Sequence, residues 1–408
     1  MFHNNSPKRS KISLGATFIL LIPVIYISIT LFFLIFGDVV ELLKSSVMNT
    51  NTNSNGINTD TIKDILPPIT DSSLFNTNND IELYYKNALL PLVDVIKTWP
   101  PEQAGVAVRP VDWVDVVPRF DWNDIKSREA ALRVRKSEKP FIIRNVPSVV
   151  EATSKWSEKY LKSQFGNKHG TVEKSDTNSF MYWNGRKNRN IGGGPTNYNP
   201  MSWGNFKEKV KSLENTISGA PHFPHYYWHT SSKTDAFISE DLKLFKKSDS
   251  FFIVDPDEYT VPIACRVGTK GLCNEMHYDT HRTFAAQIIG SKRWIFLPPT
   301  DCNKLYLYPT NHMSSRHSPI DINTGLINIT KYPLAIDAMA IETVVHQGEV
   351  AYLPSNWFHH IISQEYNIQC IARSGHSLVG DDSIEKCGFK GLGLGRGKGK
   401  GKKNKLIK

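Results

Sequence analysis

The sequence contains few cysteines, and their spacing argues against the simplest kind of zinc site. Five cysteines occur among 408 residues, and no two of them form the C-x-x-C pair that structural zinc sites commonly use. So small and odd a number neither proves nor excludes disulfide bonds, but it leaves at least one cysteine unpaired within a monomer. The five are Cys265, Cys273, Cys302, Cys370 and Cys387.

Signs of a nucleotide-binding loop and of a repeat architecture are also missing. The glycine-rich stretch at 188–200 is not followed by the Lys-Ser or Lys-Thr pair with which a P-loop binds phosphate. We therefore expect this stretch to be a long loop. The chain contains no internal repeat, which argues against a solenoid or a propeller.

Acidic residues are missing from the carboxyl-terminal segment, which carries most of the net charge. The formal net charge of the chain is +10. Eight basic residues and no acidic ones follow Gly388, so the rest of the chain carries only +2. A segment rich in Gly and Lys cannot bury a core, and we expect residues 381–408 to form a disordered tail. Contact with a polyanion and simple solvation of this tail both remain open.

Charge is also missing from a long segment near the amino terminus. Residues 12–37 contain no charged side chain and are mainly apolar. At about 1.5 Å per residue, a helix of this length crosses a hydrocarbon layer of about 30 Å. A cleaved signal peptide would have a shorter apolar run and a small-residue cleavage site. The segment is therefore predicted to be a single transmembrane signal-anchor.

The charges on either side of this segment predict its orientation. Lys8, Arg9 and Lys11 precede it, whereas acidic residues predominate just after it. By the positive-inside rule, residues 1–11 form a short cytosolic tail and the chain is a single-pass type II membrane protein. The larger part of the chain would then lie in the lumen of the endoplasmic reticulum or Golgi, or outside the cell. Residues 38–103 are predicted to be a flexible stem, because residues 49–79 are rich in Asn, Thr and Ser with few apolar residues.

Most of the remaining chain has the pattern of short antiparallel strands. Apolar runs bounded by turn residues occur at 283–299, 348–354 and 361–372. A series of such strands closes into a small barrel or sandwich. Residues 104–380 are numerous enough for one sizeable core with additional helices, so we expect a single mainly β domain there.

Two histidines and one aspartate in this region have the spacing of a metal site. His277 and Asp279 are two residues apart, and such side chains on a strand point to the same face. His359 would then come from another strand. Two histidines and one carboxylate on one face of Fe(II) leave positions open for cosubstrate and oxygen. The triplet also occurs by chance, and a lone histidine is more often a packed or surface residue than a ligand.

Further motifs surround these residues in an order that belongs to a known family. The chain resembles the JmjC domain family, in the small hydroxylase branch of the cupin-like proteins, over roughly residues 104–380. The ordered set is far more specific than any one motif. The matching segments are Lys139–Asn145, Lys155–Ser157, Tyr160–Leu161, His277–Asp279, Gly290–Trp294, Pro298–Pro299 and Gly348–His359.

The resemblance implies both a fold and a chemistry. The implied fold is mainly β with flanking helices, a double-stranded β-helix of the cupin or jelly-roll type. The implied cofactor is Fe(2+), with 2-oxoglutarate as cosubstrate, and the implied iron ligands are His277, Asp279 and His359. The implied reaction converts 2-oxoglutarate to succinate and hydroxylates an unactivated C–H bond.

The resemblance also assigns residues to the cosubstrate. Lys292 lies where relatives place a lysine that pairs with the distal carboxylate of 2-oxoglutarate. A solvated turn lysine is the alternative. Thr283 and Tyr227 fall near positions whose hydroxyl groups bind the same carboxylate in relatives. Asn274 stands where many relatives have threonine, and its amide could still form a hydrogen bond with the cosubstrate.

Two positions depart from the family pattern or compete with it. Arg373 stands about where relatives have asparagine, and there it could bind a carboxylate or repel the metal. His360 follows His359 directly, but neighbours on a strand face opposite sides, so only one of the pair can bind the metal. The motif favours His359.

The expected function is that of a membrane-anchored dioxygenase that acts on a protein or peptide substrate. Hydroxylation of a protein side chain is the first choice, and N-demethylation of a protein through an unstable hydroxymethyl group is the second. A catalytically inactive cupin-fold binding module tethered to the membrane is the alternative from another class, and a polyanion-binding membrane protein is a third. Release of succinate from 2-oxoglutarate separates the dioxygenase from the other two.

Overall fold

Sixteen strands and eight α-helices form the part of the chain that the computed structural model describes, residues 67–103, 109–110, 113–184, 194–214 and 224–390. The strands are β1 (Leu90–Pro91), β2 (Arg119–Asp121), β3 (Phe141–Arg144), β4 (His169–Ser175), β5 (Ser179–Phe180), β6 (Asn197–Tyr198), β7 (Met201–Ser202), β8 (His225–Ser231), β9 (Tyr259–Gly268), β10 (Cys273–Tyr278), β11 (Thr283–Ile289), β12 (Lys292–Leu297), β13 (Met339–Val345), β14 (Val350–Leu353), β15 (Phe358–Ser363) and β16 (Asn367–Ser374). The α-helices are Asn78–Ala88, Leu92–Thr98, Ile125–Lys136, Pro147–Lys155, Glu158–Phe165, Trp203–Glu214, Phe237–Asp241 and Asp381–Lys386. Short 3-10 helices span Ser72–Phe75, Pro101–Gln103, Lys243–Phe245, Pro299–Leu305 and Pro333–Asp337.

Eight consecutive strands, β9 to β16, form the centre of the fold and are divided equally between two sheets. The six-stranded sheet contains β13-β12-β15-β10 in that order, and the ten-stranded sheet contains β14-β11-β16-β9. The chain therefore crosses repeatedly from one sheet to the other, as it does in a double-stranded β-helix. This topology confirms the predicted mainly β cupin or jelly-roll fold with flanking helices.

Strand β12 shows why the sequence of the central strands is apolar almost throughout. It pairs with β13 on one side and with β15 on the other, and every residue from Lys292 to Leu297 is buried. Trp294 pairs with Ile361 and faces the space between the sheets, whereas Ile295 pairs with His360 and faces outward. Because both faces are covered, the strand has no exposed side on which polar residues would alternate.

Helices cover the outer face of the ten-stranded sheet. The helix Pro147–Lys155 packs against β11, and its Val149 shares a buried cluster with Phe284 and Tyr352. These two aromatic residues are cross-strand partners, and their ring centroids are 4.8 Å apart. Burial of each such side chain stabilises the folded state by roughly 1.5–3 kcal/mol. Packing on the outer face thus holds the ten-stranded sheet, and with it the side chains on the inner face, in place.

The prediction of a flexible stem over residues 38–103 is wrong for residues 67–103. This stretch folds onto the domain and buries Phe75, Ile81 and Trp99 at 1 % exposure or less. Two polar residues of this stretch cap a helix: the side chain of Thr77 accepts from the backbone N–H of Asp80, and the carboxylate of Asp80 accepts from that of Thr77. The domain therefore begins well before residue 104.

The carboxyl-terminal boundary also differs from the prediction, because residues 381–390 are folded. The helix Asp381–Lys386 packs on the 3-10 helix Pro299–Leu305, and a disulfide joins Cys302 to Cys387. A second disulfide joins the cross-strand partners Cys265 and Cys370. Cys273 is the free cysteine that the odd count requires.

Several predictions concern residues outside the described ranges. These are the cytosolic tail at 1–11, the signal-anchor at 12–37, the stem up to residue 66 and the basic tail from residue 391, and all of them stay predictions. Over the ranges that the structure describes, none of the helices has both the length and the apolar character that a membrane crossing needs.

Candidate metal centre and cosubstrate pocket

His277 and His359 lie side by side on neighbouring strands of the six-stranded sheet. They are direct cross-strand partners on β10 and β15, and the centroids of their rings are 4.2 Å apart. Phe296 of β12 is the next partner of His359 across the sheet. Cross-strand partners share a face, so both imidazoles point into the space between the two sheets.

A β-bulge before His277 changes which residues of β10 face this space. Asn274 pairs with Ile361 and His277 pairs with His359, so an advance of three residues on β10 matches an advance of two on β15. The extra residue lets Asn274 share the inner face with His277. In a regular strand, two residues three positions apart would face opposite sides.

The three predicted ligands are arranged for a single ion. The ligand atoms of His277, Asp279 and His359 all lie within 4.8 Å of one another. Nδ1 of His277 lies 2.7 Å from the backbone carbonyl oxygen of Glu275, and Nδ1 of His359 lies 3.2 Å from that of Trp357. A carbonyl oxygen only accepts, so each Nδ1 carries the ring proton and each Nε2 keeps its lone pair for a metal.

Burial keeps both imidazoles in the form that binds metals. Desolvation lowers the pKa of His277, and it lowers the pKa of His359 to about 3. Both rings are therefore neutral at physiological pH. Neutral imidazole is the ligand form, so a metal does not have to displace a proton from either ring.

Two arginines hold the carboxylate of Asp279. Nη2 of Arg373 lies 3.1 Å from Oδ2, and Nη1 of Arg316 lies 4.0 Å from Oδ1. Burial alone would raise the pKa of Asp279, but neighbouring groups, Arg373 above all and Arg316 to a smaller extent, hold it well below its usual range. Of the two roles that the sequence left open for Arg373, the structure shows binding to a carboxylate, that of Asp279 itself.

Replacement of Arg373 by alanine is expected to weaken Fe(II) binding by roughly 10-fold or more, the scale for loss of a hydrogen-bond partner of a metal ligand. The reason is that Asp279 loses the group that orients it. Titration of the metal-free protein with Fe(II) under anaerobic conditions measures the effect. Arg373→Lys is the matched control, since it keeps the charge. Tighter binding by the alanine variant than by the lysine variant would mean that charge repulsion outweighs orientation.

Arg316 and His317 reach the site from the segment between β12 and β13, and the sequence analysis missed both. The ring of His317 stacks on that of His277 with centroids 4.7 Å apart and planes 15° apart. Neither residue belongs to a strand, so the alternation that identified the other site residues gave no signal. The adjacent pair of basic residues in a polar segment was the only sign. Their position covers one side of the metal centre.

His360 faces away from the metal centre. It pairs with Ile295 on β12, and its Nε2 lies 3.0 Å from Sγ of Cys273 on the outer side of the sheet. The structure therefore brings His359, and not His360, to His277.

Lys292 lies deeper between the sheets, on the same face as His359. It pairs with Ser363 on β15, and its exposed fraction is 0 %, which rules out the alternative of a solvated turn lysine. Its Nζ lies 3.5 Å from the hydroxyl of Tyr227 and 5.4 Å from the centroid of that ring. Among the residues that the structure describes, no carboxylate forms an ion pair with Lys292. A buried ammonium group of this kind favours an anionic ligand.

Polar atoms without partners surround the space next to Lys292. Within the described ranges, Oγ of Ser363 and Oδ1 of Asn367 are buried and make no hydrogen bond. Gly268 pairs with both Tyr227 and Asn367. A Cβ at Gly268 would lie 3.1 Å from the amide nitrogen of Asn367 and 3.4 Å from Oγ of Ser363. A side chain at Gly268 would thus crowd these two polar groups, and glycine leaves them uncovered beside Lys292.

The two remaining candidates lie at the edges of this space. Thr283 is buried and pairs with Arg373, and its hydroxyl lies 3.4 Å from the carbonyl oxygen of His281. Asn274 is half-buried on the inner face. The structure therefore places every predicted cosubstrate residue in the interior. It adds Ser363, which the sequence analysis did not identify because a serine in an apolar strand gives no sign of a binding role.

A cavity of about 460 Å³ opens beside Arg373 and carries a second arginine on its wall. Arg266 and His229 are cross-strand partners that line it, together with Thr and Ser side chains. His229 contacts Glu173 at 3.1 Å, and the two arginines are close enough for their charges to interact. The cavity therefore has a mixed polar and apolar lining, with the positive charge of Arg266 on its wall and the Arg373–Asp279 ion pair beside it.

Comparison with known protein families gives a match over more than half of the chain. The family profile described as "Cupin-like domain" matches residues 127–372. This range contains nearly all of both sheets' central strands and the site residues described above, except Arg373, which lies one position beyond its end.

Comparison with curated proteins gives relatives with several different names. The chain is similar to human tRNA wybutosine-synthesizing protein 5, with 29% identity over 136 residues, which are 33% of this chain and 41% of that protein. It is similar to JmjC domain-containing protein D of Dictyostelium discoideum, with 30% identity over 27% of this chain and 25% of the relative. It is also similar to Arginine-specific demethylase JMJ20 of Arabidopsis thaliana, with 27% identity over 36% and 33%. The chain thus spans less than half the length of these relatives.

Proposed function

The chain belongs to the cupin-like domain family, and on that basis we propose that it is an Fe(II)- and 2-oxoglutarate-dependent dioxygenase that hydroxylates a protein side chain. The observation that carries the proposal is that His277, Asp279 and His359 converge on the same interior face as the buried Lys292. This arrangement provides a metal site and an anion site at one end of a closed space.

The donor set fits Fe(II), and the pocket fits 2-oxoglutarate. Two neutral imidazoles and one carboxylate are the ligands of this class of iron site. When bound, the metal and 2-oxoglutarate supply the oxidation chemistry, in which O₂ converts the cosubstrate to succinate and CO₂ and a substrate C–H bond to C–OH. The protein orients both groups: Lys292, Tyr227 and Ser363 would bind the distal carboxylate, and Arg373 fixes Asp279.

We take the cavity beside Arg373 as the substrate site, and its charge favours hydroxylation over demethylation of basic residues. Arg373 is paired with Asp279, whereas Arg266 lines this cavity without an ion pair to any residue that the structure describes, so a methylated lysine or arginine would bring a second positive charge beside it. Like charges at such separations are unfavourable, whereas a neutral or acidic side chain is attracted. The names of the relatives include both tRNA modification and demethylation, so the names alone favour neither activity.

Succinate formation tests the proposal against an inactive binding module. The full chain, purified in detergent and loaded with Fe(II), is expected to convert 2-oxoglutarate slowly to succinate even without substrate and faster with an accepted peptide. A library of peptides that differ only in the charge around the reactive residue should show preference for neutral or acidic sequences. An absence of succinate under all conditions, in protein that binds iron, would support the binding module.

We further propose that the domain faces the lumen of the secretory pathway or the outside of the cell, held by the anchor at 12–37. The charge asymmetry of the flanking residues supports this orientation. Two disulfides, Cys265–Cys370 and Cys302–Cys387, suit an oxidising compartment. The partners are then a lumenal or extracellular protein substrate and, through the basic tail, acidic glycans.

Glycosylation of Asn328 is the expected consequence of this topology. Asn328-Ile329-Thr330 is the only acceptor sequence after the proposed anchor, and Asn328 is exposed. Expression of the full chain in eukaryotic cells should give a band that glycosidase shifts and that Asn328→Gln lacks. Protease treatment of sealed vesicles is the second measurement, because an acceptor can remain unused. Digestion of the domain in intact vesicles would place it in the cytosol.

A further inference from the structure

The outer face of β10 and β15 carries a second group of metal-type ligands, behind the iron site. Cys273 pairs with Ile362 and so faces the same side as His360, and Glu275 lies at the bulge between them. The ligand atoms of these three residues all lie within 4.8 Å of one another. We propose that Cys273, Glu275 and His360 bind a zinc ion, separate from the iron and from its function in oxidation.

One ligand atom of each residue lies within 4.8 Å of the others, although the two short contacts involve different nitrogens of the His360 ring. Oε2 of Glu275 lies 3.8 Å from Nδ1 of His360, which is too far for a hydrogen bond but close to the separation of roughly 3.3–3.8 Å between donor atoms around zinc. Sγ of Cys273 lies 3.0 Å from Nε2. A histidine gives one nitrogen to an ion, so an ion at Nδ1 requires the thiol to rotate toward Glu275.

His360 supplies an independent sign that a ligand belongs here. Its exposed fraction is 0 %, and its buried Nδ1 makes no hydrogen bond to any residue that the structure describes. An unpartnered buried nitrogen is costly unless something binds it. The same atom points toward the Glu275 carboxylate, so an ion between them would satisfy both groups.

Glu275 supplies a second sign, because its charge has no close counter-ion. Its side chain is 9% exposed, and Nδ2 of Asn323 donates to Oε1 at 3.2 Å. Across the described part of the chain, no lysine or arginine forms an ion pair with it, since the guanidinium of Arg293 is bonded to Glu342. A buried carboxylate is costly unless it is paired or binds a metal. One thiolate and one carboxylate would together balance the charge of a divalent cation.

A fourth ligand and an entry route are available from the segment between β12 and β13. Oδ1 of Asn323 lies 3.3 Å from Sγ of Cys273. A cavity of about 540 Å³ is lined by Glu275, Asn323 and Asp321. It gives an ion a path to the group and leaves room for a water molecule as the remaining ligand.

The donor types select zinc rather than a second iron. A thiolate, an imidazole and a carboxylate are common ligands of zinc, whose bonds tolerate tetrahedral geometry and whose binding deprotonates a thiol. Cys273 is also the one cysteine in the described residues that forms no disulfide. A free thiol is what a metal site requires, and binding would release its proton to solvent.

Metal analysis of selected variants tests the proposal without any measurement of turnover. Tag-free full-length protein, purified from cells grown with added zinc, is expected to contain about one zinc per chain by elemental mass spectrometry. His277→Ala should lose iron and keep zinc, whereas Cys273→Ser should keep iron and lose at least nine tenths of the zinc. Glu275→Gln tests the carboxylate if the serine variant fails to fold.

Cobalt substitution gives the decisive second measurement, since Co(II) reports its ligands by absorption. Wild-type protein depleted of zinc and loaded with Co(II) should show the near-ultraviolet charge-transfer band of a cobalt–thiolate bond, and Cys273→Ser should lack it. Wild-type protein with no zinc and no such band overturns the proposal. Loss of zinc from His277→Ala also overturns it, because the zinc would then occupy the iron site. Both results are independent of whether the protein oxidises 2-oxoglutarate.

Discussion

His277→Ala is expected to leave the protein with less than a tenth of its iron and with no detectable succinate formation. One imidazole of the three protein ligands is lost, and His360 cannot replace it, because it points outward. Asp279→Ala should have the same effect, and it also leaves Arg373 and Arg316 without their shared carboxylate. Iron content by elemental analysis and succinate by chromatography measure the two consequences.

The control for this experiment is a histidine nearby that does not belong to the ligand set. His281 is half-buried and lies two residues after Asp279, so His281→Ala makes the same chemical change within the same segment. It should retain iron. Stoichiometric iron in both His277→Ala and Asp279→Ala would show that these residues are not the ligands, whatever the family pattern suggests.

Lys292→Ala is expected to weaken 2-oxoglutarate binding by about 1.5–3 kcal/mol, the cost of a lost charge-assisted hydrogen bond, which is roughly 10- to 150-fold in affinity. Iron binding should be unchanged, because Lys292 is on the metal side of the sheet but is not a ligand. Titration of 2-oxoglutarate into the anaerobic iron-loaded protein measures the affinity.

Lys292→Met separates the charge from the packing. Methionine fills most of the space of the lysine stem without an ammonium group, so a stable protein with weak 2-oxoglutarate binding is the expected result. If both variants bind 2-oxoglutarate as tightly as the wild type, another cation performs this role. Arg373 is then the first candidate, because it lines the same interior.

The fold was predictable from the sequence because its central strands appear locally as apolar runs bounded by turn residues. The turn at Gly290, between β11 and β12, has a backbone φ of +68°, a conformation that glycine adopts readily and other residues avoid. The apolar runs on either side of it are the strands that the structure contains. The pairing of His277 with His359 could be inferred only from the order of motifs, because no local pattern reports which strands are neighbours.

The parts that were not predicted depend on contacts between distant segments. The polar composition of residues 49–79 led to the prediction of a stem up to residue 103, although residues 80–103 are rich in apolar side chains, and the burial of side chains such as Trp99 shows that they belong to the domain. Arg316 and His317 lie in a segment without regular structure. They reach the site because this segment, between β12 and β13, folds back over His277 and Asp279. Ser363 has no sequence feature that distinguishes it from other small residues in strands. It matters because its cross-strand partner is Lys292.

The bulge in β10 makes this strand tolerant of the loss of one residue. Removal of Glu275 or Met276 would place Asn274 two positions before His277, so a regular alternation would keep Asn274 on the inner face and Cys273 on the outer face. The one residue left between Asn274 and His277 would then pair with His360 and face outward. A single deletion at the bulge would thus shorten the strand without exchanging the chemistry of its two faces.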